Sequence, residues 1–112
     1  MVTLQQAGAF ALSLDGAVEQ PHFEKTSFRI GKRIFMTLDV KNKRACIKLS
    51  PVDQDIFSTI DKLVIYPVPN SWGKQGWTFV ELSSVKMAVF KAAVTTAYAE
   101  VVNSGRRKGK KM

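Results

Sequence analysis

The sequence predicts an α+β fold in two layers, an antiparallel sheet with helices on one of its faces. Three observations carry this. Apolar residues recur at every second position across residues 26–49, and extended segments follow at 63–68 and 77–82, as half-buried strands require. They recur at spacings of three and four in 4–14, 52–60 and 87–101, the period of amphipathic helices. The resulting order, α-β-β-β-α-β-β-α, lacks the regular strand-and-helix alternation that a parallel sheet needs.

The first helix opens on a capping-box spacing, Thr3 with Gln6. It sets Leu4, Ala7, Ala11 and Leu14 on one face, and Asp15-Gly16 ends it. Three strands follow, in which Phe28 and Ile30, then Ile34, Met36, Leu38 and Val40, then Ala45, Ile47 and Leu49 alternate with polar neighbours. Requiring core residues to oppose one another pairs Ile30 with Ile34, Phe28 with Met36, Leu38 with Ile47 and Met36 with Leu49, because a slip of one position turns every side chain to the other face. The connections become Gly31-Lys32-Arg33 and Lys41-Asn42-Lys43-Arg44. On the opposite face this register sets Arg29 beside Phe35 and Thr37 beside Lys48, giving a basic surface with an aromatic at its centre.

Ser50-Pro51 starts the second helix, with a capping hydroxyl, a proline suited to the first position, and Asp53 and Asp55 at the positive end of the dipole. Val52, Ile56, Phe57 and Ile60 form its expected buried stripe. The second β region runs over 63–68 and returns over 77–82, and Pro67 and Pro69 confine its first strand to an edge or strand end. The last helix starts near Ser84, presents Met87, Phe90, Val94, Tyr98 and Val101 to the core, and is expected to stop near Gly105.

At 112 residues the chain fits one domain, placed at residues 1–103, followed by a basic tail at 104–112. Arg106, Arg107, Lys108, Lys110 and Lys111 supply five of the positive charges behind a formal net charge of +8, and this acid-free, Gly-punctuated stretch is expected to be disordered. No run approaches the roughly 18 apolar residues of a membrane span, and no basic region precedes the first apolar stretch, so a cytoplasmic protein without membrane contact is expected. One cysteine, Cys46, excludes an internal disulfide framework and any multi-cysteine zinc site.

Catalytic chemistry finds little support. His22 is the only histidine and stands apart from any Cys, Ser or carboxylate at a recognisable spacing, which favours a structural role. Asp53 and Asp55 are explained by the helix start. Cys46 faces outward and reads as structural. Gly31-Lys32 and Gly73-Lys74 lack the frame of a phosphate loop. The chain is therefore expected to be non-enzymatic, with no metal and no cofactor. Two features remain. The loop from Asn70 to Trp77 holds Trp72, Gly73, Lys74 and Gly76. Its tryptophans either fold onto the core while the glycines permit close turns, or expose an indole for stacking while Lys74 meets a phosphate. The face carrying Arg29, Lys32, Arg33 and Lys48 is either solvated surface or a nucleic-acid platform. Phe35 has no core to fill in this register unless the C-terminal helix covers it.

Three ordered segments carry a resemblance: Pro21-His22-Phe23-Glu24-Lys25-Thr26-Ser27-Phe28-Arg29-Ile30-Gly31-Lys32-Arg33-Ile34-Phe35, then Lys48-Leu49-Ser50-Pro51, then residues 68–80 with Asn70, Trp72, Gly73, Gly76 and Trp77. Together they resemble the MmcQ/YjbR family of small bacterial proteins. The resemblance implies a secretion-chaperone-like fold, no assigned enzymatic activity, and a DNA-binding label that rests on structural analogy. Many members have an asparagine-lysine-x-histidine-tryptophan loop where this chain has Trp72-Gly73-x-x-Gly76-Trp77, so any role of that histidine does not transfer. The leading expectation is a nucleic-acid-binding domain, for DNA or RNA, in which Arg29, Lys32, Arg33, Lys48 and Lys74 contact phosphates and Phe35 or Trp72 stacks. The rival is a protein-interaction or chaperone-like module, homodimers included. A weaker third is a small-ligand pocket near Trp72, Trp77 and His22.

Overall fold

The computed structural model describes residues 1–22 and 25–110, with backbone alone for residues 22 and 105–110. Phe23, Glu24 and the side chain of His22, all in the first of the three family-like segments, lie outside the described residues. Helix α1 (Leu4–Ser13) leads into β1 (Ala17–His22), β2 (Lys25–Ile30), β3 (Arg33–Asp39) and β4 (Arg44–Lys48). Then come α2 (Pro51–Ile60), β5 (Ile65–Pro67), the single-turn α3 (Ser71–Lys74), β6 (Trp77–Glu81) and α4 (Met87–Lys110). The strands make one sheet in the order β1-β2-β3-β4-β6-β5, every neighbouring pair antiparallel. This is the predicted α+β sandwich in the predicted order, with two additions. β1 is an exposed edge strand containing Pro21, and α3 lies within the long loop.

Helices cover one face. The capping box at Thr3 and Gln6 is formed, and α1 sets Ala7 and Ala11 in the core with Gly8 against Phe28 and Leu38. Phe10 of α1 meets Phe90 of α4 edge-on at 6.2 Å. The inner face of the sheet supplies Phe28, Met36, Leu38, Ala45, Ile47 and Val80, all buried. Helix α2 is held by one polar side chain: Gln54 Nε2 donates to the carbonyls of Gly73 (2.9 Å) and Trp77 (3.2 Å) and to Thr78 Oγ1 (3.1 Å).

Here the expected stripe of α2 is corrected. No residue of this helix is buried, and Val52, Ile56 and Ile60 are 69%, 56% and 57% exposed. The helix packs at the sheet margin against the three-residue β5, and of its stripe only Phe57 reaches the core.

Strand register differs from the expected one at two places, the first of them an irregularity with wide effect. The β2–β3 turn has two residues, Gly31-Lys32, with Gly31 at φ +64°, so Ile30 opposes Arg33 and Arg29 opposes Ile34. Phe28 still opposes Met36, because a bulge leaves Phe35 as the extra residue on β3. Between β3 and β4, Met36 opposes Ile47 and Leu38 opposes Ala45, two positions from the expected pairing but with core still facing core.

The expected helix stop is also corrected at the backbone. The helix α4 does not end at Gly105 but continues to Lys110. Residues 111 and 112 lie outside the described residues.

Candidate nucleic-acid interface

The face of the sheet opposite α1, α2 and α4 is built by strand alternation. Thr37, Cys46, Phe79 and Tyr66 lie side by side across β3, β4, β6 and β5, and Lys48 lies beside Trp77 in the next outward row. The loop before β6 borders this face. Its conformation follows from backbone contacts that exclude side chains. A Cβ on Gly73 would stand 1.9 Å from the Val68 carbonyl oxygen, and one on Gly76 would stand 1.8 Å from that of Leu49. Gly76 also has φ +108°, and its carbonyl accepts from the Leu49 N–H at 2.9 Å. Asn70 Oδ1 caps α3 by accepting from the Trp72 N–H at 2.8 Å. Lys48 Nζ donates to the Gln75 carbonyl at 2.6 Å and that of Leu49 at 3.4 Å, which ties the loop to the end of β4.

Two adjoining clefts result. The first, of about 410 Å³, is lined by Ile34, Val68, Trp72, Trp77 and Phe79 together with Thr37 and Cys46, and Lys25 is its one charged residue. The second, of about 330 Å³, brings Lys32, Arg33 and Lys48 together beside the same Ile34 and Trp77, with Glu100 and Ser104 of α4 on its other side. Trp72 is 56% exposed, an unusual state for an indole, while Trp77 is half-buried. Lys48 spends two of its three N–H donors on carbonyls, so its charge is positioned rather than freely mobile.

Of the residues singled out from sequence, Lys32, Arg33 and Lys48 therefore come together, with Trp72 in the neighbouring cleft and Trp77 common to both. Arg29 lines neither cleft, and its Nε donates to Ser27 Oγ at 3.0 Å. Lys74 is exposed on α3 and also lines neither. Asn70, Gly73 and Gly76 shape the loop. Phe35 is a correction: it is fully buried and meets Tyr98 of α4 edge-on, centroids 5.5 Å apart at 88°. The bulge carries its ring beneath the helix, so it offers no surface for stacking, and aliphatic Ile34 takes the outer position instead. Sequence reasoning missed Lys25, Ile34 and Phe79. The last was within reach, since Thr78, Val80 and Leu82 point inward and the same parity sends Trp77, Phe79 and Glu81 outward.

Further along the face, the Arg44 guanidinium lies 4.0 Å above the Phe79 ring, donates to the Tyr66 hydroxyl at 3.3 Å and sits 3.7 Å from Glu81. Tyr66 in turn donates to the Glu81 carboxylate. Burial, and next this bond to Glu81, hold the Tyr66 hydroxyl above the usual phenol range. Arg44 is thus engaged within the protein. Burial pushes the Cys46 thiol up to about 11, which makes it a neutral group lining the first cleft rather than a nucleophile. Among the described residues no three His, Cys, Asp or Glu side chains gather as metal ligands, and no helix is long and apolar enough to cross a membrane.

Comparison with known proteins places the chain. The profile of the family described as YjbR matches residues 12–100. The fold is similar to the crystal structure of Deinococcus radiodurans protein DR2400, whose domain is described as DUF419. The TM-score is 0.81 at 19% identity, covering 94% of this chain and 82% of that one. No match was found among curated proteins.

Proposed function

The chain belongs to the YjbR family, and we propose that it is a non-enzymatic nucleic-acid-binding domain acting through the outer sheet face. The observation that carries the reading is the convergence of Lys32, Arg33 and Lys48 on one cleft beside Trp77, next to a second cleft walled by Trp72. Three cations against the one carboxylate of Glu100 give a site that favours phosphate. Lys25 and the net charge of +8 add a field that steers polyanions toward the molecule. Phosphate contacts supply affinity without reading sequence. The free Cys46 supports a reducing, cytoplasmic setting. The test is a titration of DNA and RNA oligonucleotides across salt. Binding weakens as salt rises, and Lys32→Glu with Arg33→Glu lowers affinity and flattens the log–log salt slope by about 1.4 for a single strand, two contacts at about 0.7 each. Unchanged affinity and slope in that double variant remove this surface.

A second reading, self-association as a protein-interaction module, is favoured by the exposed ridge Val52, Ile56 and Ile60 on α2. Residues four apart form a ridge that packs against its own copy. Sedimentation that reports a monomer at every concentration, unaltered by Ile56→Lys, counts against it.

A further inference from the structure

The two clefts together specify more than attraction to phosphate. Resting on the nucleic-acid reading of this face, we propose that it takes an unpaired strand, seating a base in the Trp72–Trp77 cleft while the adjoining backbone phosphate meets Lys32 and Arg33. Three observations carry this. First, the clefts have opposite chemistry and are contiguous. One is aromatic and aliphatic with Lys25 as its single charge, the other gathers three cations, and Ile34 and Trp77 line both. A ligand that fills both joins a flat apolar group to an anion within one short covalent unit, which is the make-up of a nucleotide. Second, Trp72 keeps 56% of its surface in water although the loop holding it is fixed at Asn70, Gly73 and Gly76. An indole carried on a fixed backbone and left open is a stacking surface that a ligand reaches without ordering the loop. Third, the face lacks a device for reading a duplex. Major-groove recognition needs a helix or two-stranded ribbon that projects into the groove, whereas α1 and α2 lie behind the sheet, α4 meets this surface as the far wall of the cationic cleft through Glu100 and Ser104, and the loop side is bordered by the four-residue α3. In a duplex the base faces are hidden in the stack, so the aromatic cleft has nothing to receive. Only an unpaired base presents its face.

The proposal commits to a strand rather than a free nucleotide, because the cations extend from Lys25 at one cleft to Lys32 and Arg33 at the other, a track for successive phosphates. The experiment uses the full chain and four probes at one salt concentration: a 12-nucleotide oligothymidylate, a 12-base-pair duplex, an abasic oligomer of equal charge, and thymidine monophosphate. The readouts are competition anisotropy and intrinsic tryptophan emission. The oligothymidylate is expected to bind at least tenfold more tightly than the other three and to be the one that strongly quenches emission. Trp72→Ala, a change at an exposed position, is expected to weaken oligothymidylate by about 5- to 150-fold, the range of base–aromatic stacking. It leaves the abasic oligomer unaffected, and Trp72→Phe recovers most of the loss. If duplex or abasic oligomer binds as tightly as oligothymidylate, or if the monophosphate does, the unpaired-strand proposal is overturned while the nucleic-acid reading stands. If none of the polyanions binds at low salt, the nucleic-acid reading itself fails and takes this proposal with it.

Discussion

Replacing Gly76 by alanine tests whether the loop carrying both tryptophans is held by backbone contact. The residue has φ +108°, and its new Cβ would stand 1.8 Å from the Leu49 carbonyl oxygen, a backbone atom unable to move aside alone. Two costs add. A side chain at this backbone conformation brings strain of about 1–3 kcal/mol. Relieving the clash moves the loop off β4 and breaks the 2.9 Å bond from the Leu49 N–H to the Gly76 carbonyl. Leu49 is fully buried, so its stranded N–H costs about 1–3 kcal/mol. Together these give about 2–6 kcal/mol, which lowers Tm by about 8–25 °C in a domain of this size. Gly31→Ala is the control. Gly31 has φ +64°, and no heavy atom lies within 4 Å of where its Cβ would go, so the left-handed cost of about 1–2 kcal/mol acts alone. Thermal and urea denaturation followed by circular dichroism measure both variants, and tryptophan emission reports whether Trp72 and Trp77 change surroundings in the first. Equal destabilisation of the two variants refutes the argument that close approach to Leu49, rather than φ, fixes this loop.

The same geometry sets further expectations. Phe35→Ala empties a fully buried site against Tyr98 and is expected to lose about 3–5 kcal/mol of stability by urea denaturation; a loss below about 1 kcal/mol contradicts its burial. Ser50→Ala removes the hydroxyl that accepts from the Asp53 N–H at 3.1 Å and is expected to cost about 1 kcal/mol in the same assay. Cys46 is expected to react slowly with iodoacetamide at about pH 7.5 in the native protein and faster in urea; equal rates contradict a half-buried neutral thiol. Its thiol value is raised on folding from 9.0 to about 11, so the native state keeps a proton that the unfolded state releases. Stability therefore falls as pH rises through that window, by about 2–3 kcal/mol in total. Cys46→Ala, measured in parallel, lacks that part of the slope.

Much of the fold was legible because several local signals agreed. Thr3 with Gln6 and Ser50 with Asp53 mark two helix starts through hydrogen bonds that depend on neighbouring residues alone, and both are formed. Alternation across β2 to β4 separated the two faces of the sheet, and Phe28 opposite Met36 is paired as expected. The fate of α2 was not legible. The ridge Val52, Ile56 and Ile60 has the period of a buried stripe whether or not anything covers it, because periodicity describes one helix and burial depends on its neighbour. That neighbour is the three-residue β5, too short to cover a ten-residue helix, and its shortness follows from Pro67 at its end.

The site was half legible, and the bulge decides which half. A three-residue turn at residues 31–33 keeps Phe35 on the outer face, whereas the two-residue turn Gly31-Lys32 changes the phase of β3. An uninterrupted ladder from that turn would set Phe28 opposite Phe35 and push Met36 outward. The bulge restores Phe28 to Met36, so both Phe35 and Met36 are buried and Ile34 lines the clefts. Alternation cannot reveal this, because two adjacent apolar residues both turned inward read as one strand position too many. Three of the cations were placed correctly, since Lys32 and Arg33 sit at the turn whatever its length and Lys48 on β4, whereas Arg29 and Lys74 line neither cleft. The aromatic part of the face therefore moved from β3 to β6 and its loop, where Trp72, Trp77 and Phe79 stand. The site thus depends on β4 and β6 staying together. The contacts of Gly76 and Lys48 with Leu49 and Gln75 that hold this junction then support the candidate interface as directly as any residue lining it.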